Sequence, residues 1–95
     1  MVHDIVEMTK AKFNQNSFKH YLKEKYKPKL TVAFEDGLWL ASPELIGFLY
    51  AQTTEQVCVI DLFDNLVKVD RRKLLEKLIT VYNTTMDEWY EESSK

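Results

Sequence analysis

Apolar residues recur at the spacing of a helix in three parts of the chain. The first predicted helix extends from Ile5 to Tyr26, with a polar tract at residues 14–17 that can divide it into two pieces. A short helix is predicted from the N-cap Ser42 to about Ala51, because a proline and then an acid follow Ser42. The longest apolar stripe runs from Leu74 to Tyr90 and predicts a closing helix capped by Asp70. The short helix is expected to bury its apolar residues Leu45, Ile46, Phe48 and Leu49.

A strand–turn–strand pattern separates the first two predicted helices. Residues 30–35 and 38–41 flank Asp36-Gly37, a dipeptide typical of the two-residue type I′ turn. This register places Phe34 opposite Trp39, and an aromatic pair across two strands is favourable. The pattern therefore predicts a first antiparallel hairpin.

A second strand–turn–strand pattern precedes the closing helix. Residues 57–63 and 66–69 flank Asp64-Asn65, and a tight turn there places Asp61 opposite Lys68 as an oppositely charged pair. The same register forms two apolar pairs on the other face of the hairpin, Leu62 with Val67 and Ile60 with Val69. Because charge and hydrophobicity agree in this register, we expect a second antiparallel hairpin.

Together these elements predict an α+β fold with the order helix, hairpin, short helix, hairpin, long helix, and a small antiparallel sheet packed on helices. A chain of 95 residues is long enough for a single domain only. Within it, residues 1–29 are expected to form a basic helical segment and residues 30–95 the hairpin and helix core. A hydrophobic content of 45% with 2 Gly and 2 Pro excludes a disordered or collagen-like chain.

Charge is distributed unevenly along a chain whose net charge is −2. Residues 1–30 carry seven Lys and three acids, whereas residues 31–70 carry one Lys and seven acids. The basic segment makes nucleic-acid binding an alternative function, with phosphate contacts from Lys19, Lys23, Lys25, Lys27 and Lys29. Against it, none of these residues is an arginine, which makes bidentate contacts, and the acidic stretch that follows repels phosphate.

The sequence lacks the residue patterns that catalysis and metal binding require. His3 and His20 lie far apart, and neither has a second ligand at a recognised metal-binding spacing. Asp61, Asp64 and Asp70 are each explained by a cross-strand pair, a turn or an N-cap, so no carboxylate pair is left for acid–base chemistry. With 2 glycines the chain cannot form a Gly-rich phosphate loop. We therefore expect no enzyme activity, no catalytic residue, no cofactor and no metal.

The cysteine content and the lengths of the apolar runs indicate the cellular compartment of the protein. The single cysteine, Cys58, cannot form an internal disulfide and suits a reducing compartment; on a strand face shared with Ile60 and Leu62, it is expected to be a buried, inert thiol. The first residues lack the basic and apolar regions of a secretory signal, and no stretch approaches the roughly 18 apolar residues of a membrane span. We expect a cytoplasmic protein with no membrane partner.

Several runs of residues resemble small uncharacterised proteins encoded by T4-like phages of marine cyanobacteria. The resemblance covers about residues 20–92. It is carried by Lys25-Tyr26-Lys27-Pro28-Lys29-Leu30-Thr31-Val32-Ala33-Phe34, Gly37-Leu38-Trp39, Pro43-Glu44-Leu45-Ile46, Phe48-Leu49-Tyr50, Ile60-Asp61-Leu62, Val67-Lys68-Val69 and Met86-Asp87-Glu88-Trp89. It implies no assigned activity. It does imply a protein that acts in the cytoplasm of an infected bacterium and binds a host or phage protein, or else a minor virion component.

By elimination, the sequence indicates a small protein that works by binding another protein, with a homodimer left open. Twelve aromatic residues are more than a core of this size hides equally well, so some are expected near the surface. The expected interface combines apolar residues beside the two turns with two aromatics in the acidic C-terminal stretch: Leu38, Trp39, Leu40, Phe63, Leu66, Trp89 and Tyr90. The alternative is that the hairpin residues are core, covered by the first helix.

Overall fold

The structure is a computed structural model that describes residues 17–94. Residues 17–26 are helical (α1), and a 3-10 turn at Lys27–Leu30 leads into the first hairpin, β1 Thr31–Phe34 and β2 Gly37–Leu40. Next come α2 at Pro43–Ala51, the second hairpin with β3 at Gln56–Ile60 and β4 at Leu66–Asp70, and α3 at Arg71–Ser93. The predicted α+β class and order of elements are confirmed, and each hairpin forms its own two-stranded antiparallel sheet. The part of the first predicted helix before residue 17, and His3, lie outside the described residues.

The two predicted helix starts are confirmed by their capping hydrogen bonds. The Ser42 hydroxyl accepts from the Leu45 backbone N–H at 3.2 Å, with Pro43 at the first position of α2. The Asp70 carboxylate accepts from the Lys73 backbone N–H at 3.0 Å at the start of α3. Each cap satisfies a backbone donor that has no partner inside the helix.

The first hairpin turns one residue earlier than the sequence predicts. Its turn residues are Glu35 and Asp36, Glu35 has a φ of 51°, and Phe34 pairs with Gly37. Gly37 is therefore the first residue of β2 and has no positive φ. The predicted type I′ turn at Asp36-Gly37 is wrong.

Trp39 provides the physical reason for this register. The predicted pair with Phe34 is wrong, because Trp39 pairs with Val32 and its indole Nε1–H donates to the Phe34 carbonyl oxygen at 3.1 Å. The indole ring lies over Gly37, where an added Cβ would be 2.4 Å from Trp39 Cζ2. The glycine is therefore required by the packing of the tryptophan and not by the backbone of the turn.

The second hairpin has a longer loop than the predicted two-residue turn. Ile60 pairs with Leu66, so residues 61–65 lie between the strands. The predicted ion pair between Asp61 and Lys68 is wrong, because Lys68 pairs with Cys58. The predicted pairs Leu62–Val67 and Ile60–Val69 are also wrong, since the observed partners are Val59 with Val67 and Val57 with Val69.

The longer loop also exchanges the two faces of β3 relative to the prediction, whereas Val67 and Val69 of β4 stay on the buried face. A shift of register by an odd number of residues moves side chains to the opposite face of a strand. Val57 and Val69 are buried, whereas Ile60 is exposed. Cys58, expected to be a buried thiol, is exposed on the same face as Ile60.

The core lies where the two hairpins meet α2 and α3. Its buried residues come from every strand and from both helices: Val32, Trp39, Ala41, Leu49, Val57, Val67, Val69, Leu74, Leu75 and Leu78. In α2, Leu49 is 0% exposed, but Phe48, expected in the core, is 45% exposed. One residue along a helix rotates the side chain by about 100°, and in α2 this step places Phe48 outside the buried face that carries Leu49.

We expect replacement by alanine to have opposite effects on stability at the two glycines. Gly37→Ala places a Cβ against the Trp39 indole and lowers the free energy of unfolding by about 1–3 kcal/mol. Gly47→Ala, inside α2, meets no atom within 4 Å and raises it by about 0.5–1 kcal/mol through helix propensity. Urea unfolding of both variants measures the difference, and equal effects at the two positions would contradict the packing role of Gly37.

Candidate protein-binding surface

A buried carboxylate organises the loop of the second hairpin. Asp61 Oδ1 accepts from the backbone N–H groups of Phe63 and Asn65, each at 2.9 Å. The Asp61 backbone N–H donates to the Asn65 carbonyl oxygen at 2.9 Å, and Asp64 closes the loop with a φ of 62°. Aspartate tolerates this left-handed conformation better than most residues. The loop at residues 61–65 is therefore held by hydrogen bonds around one side chain.

The same carboxylate joins the second hairpin to the first. Asp61 Oδ2 accepts from the Leu38 backbone N–H at 3.1 Å, and the Leu62 backbone N–H donates to the Leu38 carbonyl oxygen at 2.9 Å. Both backbone groups of Leu38 on β2 are thus bonded to the loop. The two sheets are separate, but this contact fixes the end of the second hairpin against β2.

These hydrogen bonds lower the pKa of Asp61 below its ordinary value of 3.8. The hydrogen bond from the Asn65 backbone lowers the pKa most, and the bonds from Leu38 and Phe63 lower it further. Removal of the carboxylate from water acts in the opposite direction and raises the pKa. The side chain is 7% exposed, so most of its contacts are with protein. The hydrogen bonds that hold the loop thus favour the ionised form of Asp61.

Four large apolar side chains stand on the surface at this end of the second hairpin, and we call them the hairpin-tip surface. They are Ile60, Leu62, Phe63 and Leu66, exposed by 62%, 49%, 70% and 72%. Ile60 and Leu66 are cross-strand partners, and Leu62 and Phe63 belong to the loop between them. Ile60 and Leu62 also line a groove of about 280 Å³ with Leu38, Leu40 and Leu45.

The structure separates the hairpin residues that the sequence indicated as an interface. Phe63 and Leu66 are exposed, whereas Leu38 and Leu40 are half-buried and line the groove with Ile60 and Leu62. Trp39 is 1% exposed and belongs to the core. Sequence reasoning missed Ile60 and Leu62 because its register placed them on the buried face. The signal that could have found them is an aspartate able to bind its own loop backbone, which favours a longer turn.

Trp89 and Tyr90, the other indicated aromatics, lie in α3 and have different surroundings. Trp89 is half-buried, and its ring stacks on Tyr26 with centroids 5.9 Å apart and an interplanar angle of 11°. Tyr90 is 73% exposed. Trp89 therefore helps to attach the end of α1, whereas Tyr90 remains on the surface.

Part of the lysine-rich segment is bound by the acidic end of α3. Lys25 Nζ lies 2.8 Å from Glu92 Oε1, Lys29 Nζ lies 3.9 Å from Glu88 Oε2, and the Tyr26 hydroxyl donates to Glu92. The hydrogen bond to Glu92 is also the main cause that raises the pKa of both Lys25 and Tyr26. The remaining lysines of the nucleic-acid alternative, Lys19, Lys23 and Lys27, are exposed. Carboxylates at a helix C-terminus are unfavourable by themselves, and the lysines offset that repulsion.

The described residues show no other arrangement with evident chemistry. Residues 17–94 contain no cluster of three or more His, Cys, Asp or Glu side chains placed to hold a metal ion. Among the helices of this range, none combines the length and the apolar character needed to cross a membrane. His20 is exposed and lies 3.9 Å from Glu24, one turn away on α1. The hairpin-tip surface is thus the feature that calls for a function.

We expect graded instability when Asp61 is changed. Asp61→Asn keeps one oxygen that can accept the two loop bonds but loses the acceptor for Leu38, and Asp61→Ala loses all three. The urea midpoint should fall in the order wild type, Asp61→Asn, Asp61→Ala. The matched control, Asp64→Asn in the same loop, should change little, because asparagine tolerates a positive φ.

The pH dependence provides a second readout of the same carboxylate. Because folding lowers the pKa of Asp61, its contribution to stability is present above the unfolded value near 3.8 and is lost as pH falls through the folded value. The loss of stability on acidification should therefore be smaller in Asp61→Asn than in wild type. Identical acid profiles for the two proteins would contradict this role of Asp61.

We expect Glu92→Gln to loosen α1 selectively. Hydrogen exchange of the amides in residues 17–26 should accelerate, while the hairpin amides keep their protection. Folding raises the pKa of Lys25 and of Tyr26 above their ordinary values of 10.5 and 10.0. The contact with Glu92 therefore stabilises the fold fully at a pH below these ordinary values, and this stabilisation is lost as the pH rises through the raised pKa values. Glu91→Gln is the control, and equal acceleration in both variants would contradict a specific contact through Glu92.

Comparison with known proteins adds no family to this description. Searches of protein-family models, of curated proteins and of solved structures found no match to the chain. Function therefore has to be inferred from the surfaces and charges described above.

Proposed function

We propose that this protein acts by binding another protein through the hairpin-tip surface. The observation that supports the proposal most directly is the exposure of four large apolar side chains, between 49% and 72%, at one end of one hairpin. Single exposed apolar residues are ordinary on protein surfaces, whereas a contiguous apolar patch is typical of an interaction site. No catalytic or cofactor role is part of the proposal.

The way the surface is held supports a binding role. The loop that carries Leu62 and Phe63 is fastened by Asp61 to its own backbone and to Leu38. A loop that is ordered before binding loses less conformational entropy when a partner docks. Backbone hydrogen bonds therefore hold the part of the chain from which Leu62 and Phe63 extend into water.

Charge indicates the kind of partner. Residues 31–70 contain seven acids and one Lys, Glu44 lines the groove with Ile60 and Leu62, and Asp64 follows Phe63. Neither Glu44 nor Asp64 forms an ion pair with another residue in the range 17–94. The proposed partner has an apolar site bordered by Lys or Arg, since opposite charges at the rim favour encounter and register.

The biological setting of the proposal comes from the resemblance to T4-like cyanophage proteins. That resemblance points to a host or phage protein as the partner, in the cytoplasm of an infected bacterium. A nucleic acid is less well supported, because Lys25 and Lys29 are engaged by Glu92 and Glu88. The protein is thus best described as a small interaction or regulatory protein.

The decisive change is the double substitution Phe63→Ser and Leu66→Ser. Immobilised wild-type protein should retain a bacterial or phage protein that mass spectrometry identifies, and the purified partner is then titrated by calorimetry. The double variant should raise the dissociation constant by more than about tenfold, because aromatic and aliphatic anchors contribute most of the binding energy at interfaces. Its melting temperature should change little, since both side chains are over two-thirds exposed.

Two further variants make the result specific. Tyr90→Ser removes a side chain of equal exposure on α3 and should leave the dissociation constant unchanged. Asp64→Lys should weaken binding and reduce its dependence on salt, because it reverses a charge at the proposed rim. Unchanged affinity in the double variant, or a collapse of its melting temperature, would overturn the proposal.

A further inference from the structure

The two hairpins touch at one point and leave a groove between their edges. Both backbone groups of Leu38 on β2 bond to the loop of the second hairpin. The two sheets share no ladder, and a groove of about 280 Å³ has walls from both of them. Its lining includes Leu40 of β2, Ile60 of β3, and Glu44 and Leu45 of α2. The groove therefore lies where the edges of the two sheets and the first turn of α2 come together.

The register of the second hairpin fixes which backbone groups of β3 are available at this edge. In an antiparallel pair, alternate residues exchange their backbone hydrogen bonds with the partner strand, and the residues between them direct theirs outward. The Asp61 N–H donates to the Asn65 carbonyl oxygen, so Asp61 and every second residue before it face β4. The N–H and C=O groups of Cys58 and Ile60 therefore point away from β4.

These outward groups have no partner in the part of the chain that the structure describes. Within residues 17–94, no hydrogen bond engages the backbone N–H or C=O of Cys58 or Ile60, or the N–H of Leu40. The N–H of Leu62, two residues beyond Ile60, donates to the Leu38 carbonyl oxygen, so this edge of β3 is the one that adjoins β2. An unpaired strand edge can accept an extended segment of another protein as a further strand.

Charge distinguishes this edge from the outer edge of β4 and indicates what kind of segment fits. Lys68 lies on β4, and a lysine on an edge strand disfavours pairing with another chain. β3, Gln56–Ile60, contains no charged residue, and Glu44 in the groove forms no ion pair within residues 17–94. Residues 31–70 carry seven acids and one Lys. A matching segment alternates apolar residues, which pack into the groove, with Lys or Arg, which complement the acids.

We propose that the partner binds by strand addition, with an extended segment of alternating apolar and basic residues paired to the free edge of β3. Its backbone bonds to the outward groups of Cys58 and Ile60, and its apolar side chains pack on Leu40 and Leu45 in the groove. This inference rests on the proposed function, since it describes how the same partner is held beside the hairpin-tip surface. Main-chain hydrogen bonds then provide affinity, and alternate side chains provide specificity.

Peptides test the backbone contact directly on the full-length protein. The probe is a capped six-residue peptide of alternating lysine and valine, titrated into wild-type protein by calorimetry. Methylation of the amide nitrogens of either the lysines or the valines removes the donors from one edge of the peptide strand only. One methylated form should therefore bind about tenfold more weakly than the other, and a peptide with glutamate in place of lysine should bind about tenfold more weakly than the probe. Equal affinities in either comparison, or no binding of the probe at millimolar concentration, would overturn the proposal.

Two matched proline variants locate the edge. Cys58→Pro removes an N–H that points away from β4, so it leaves the ladder between β3 and β4 intact and should abolish binding of the probe. Lys68→Pro makes the same change at the cross-strand partner of Cys58, on the outer edge of β4, and should bind at least as tightly as wild type. Thermal unfolding checks that both variants are folded. Folded variants that both bind, or that both fail to bind, would contradict pairing at β3.

Amide hydrogen exchange shows whether the edge is open before the probe binds. In the free full-length protein, the amides of Cys58 and Ile60 should exchange rapidly, whereas those of Val57 and Val59, bonded to β4, should be protected. At ten times its dissociation constant, the probe should slow exchange at Cys58 and Ile60 by about tenfold. Protection of these two amides in the free protein would mean that the chain itself already fills the edge, and the proposal would then be wrong.

The partner captured through the hairpin-tip surface separates this inference from the proposed function. Suppose that the double variant Phe63→Ser and Leu66→Ser loses this partner, while the Cys58 and Ile60 amides of the wild-type complex exchange as fast as in the free protein. Binding through the hairpin-tip surface then stands, and strand addition is wrong. If the peptide results hold but the double variant keeps the partner, the edge of β3 is a binding site and the hairpin-tip surface is not.

Discussion

The Asp61 carboxylate is the interaction on which the arrangement of the two hairpins depends. Its two oxygens accept three backbone N–H groups, two in its own loop and one on β2. The loop bonds set where β3 ends, and that in turn decides which face of β3 is buried. The bond to Leu38 fastens this hairpin to the first, although the two sheets share no ladder. A buried charge is tolerated here because several donors replace the water that it loses.

The described part of the molecule separates its charges into regions with different roles. Two lysines at the end of α1 and in the 3-10 turn pair with the acidic end of α3, Lys25 with Glu92 and Lys29 with Glu88. The acids of residues 31–70 form no ion pair within residues 17–94. Two of them lie at the exposed apolar side chains, since Glu44 lines the groove with Ile60 and Leu62 and Asp64 follows Phe63. An apolar surface with an acidic border favours a basic partner and disfavours a second copy of itself.

The helices could be predicted well because their signals are local. Ser42 and Asp70 are short polar residues placed directly before apolar periodic segments, and each bonds to an N–H three residues later. The apolar stripe of α3 spans many turns, so one face is defined whatever packs against it. In the first hairpin the sequence showed the existence of the turn but not its position, since glycine is required both by turns and by close packing. Only the contact of Gly37 with the Trp39 indole distinguishes the two.

The sequence by itself determined the element order, the helix caps and the presence of two antiparallel hairpins, because these depend on neighbours within a few residues. Tertiary structure decided the strand register, and with it which residues of β3 face the core. The observed pairing is shifted along β3 by an odd number of residues from the predicted one, so Cys58 and Ile60 are exposed. It also decided that the lysines meet the acidic end of α3, more than sixty residues away in the chain. From the sequence, the Asp61 carboxylate has two possible partners, a lysine on the opposite strand or the backbone N–H groups of its own loop. The choice between them depends on donors that the rest of the fold brings within reach, Leu38 among them.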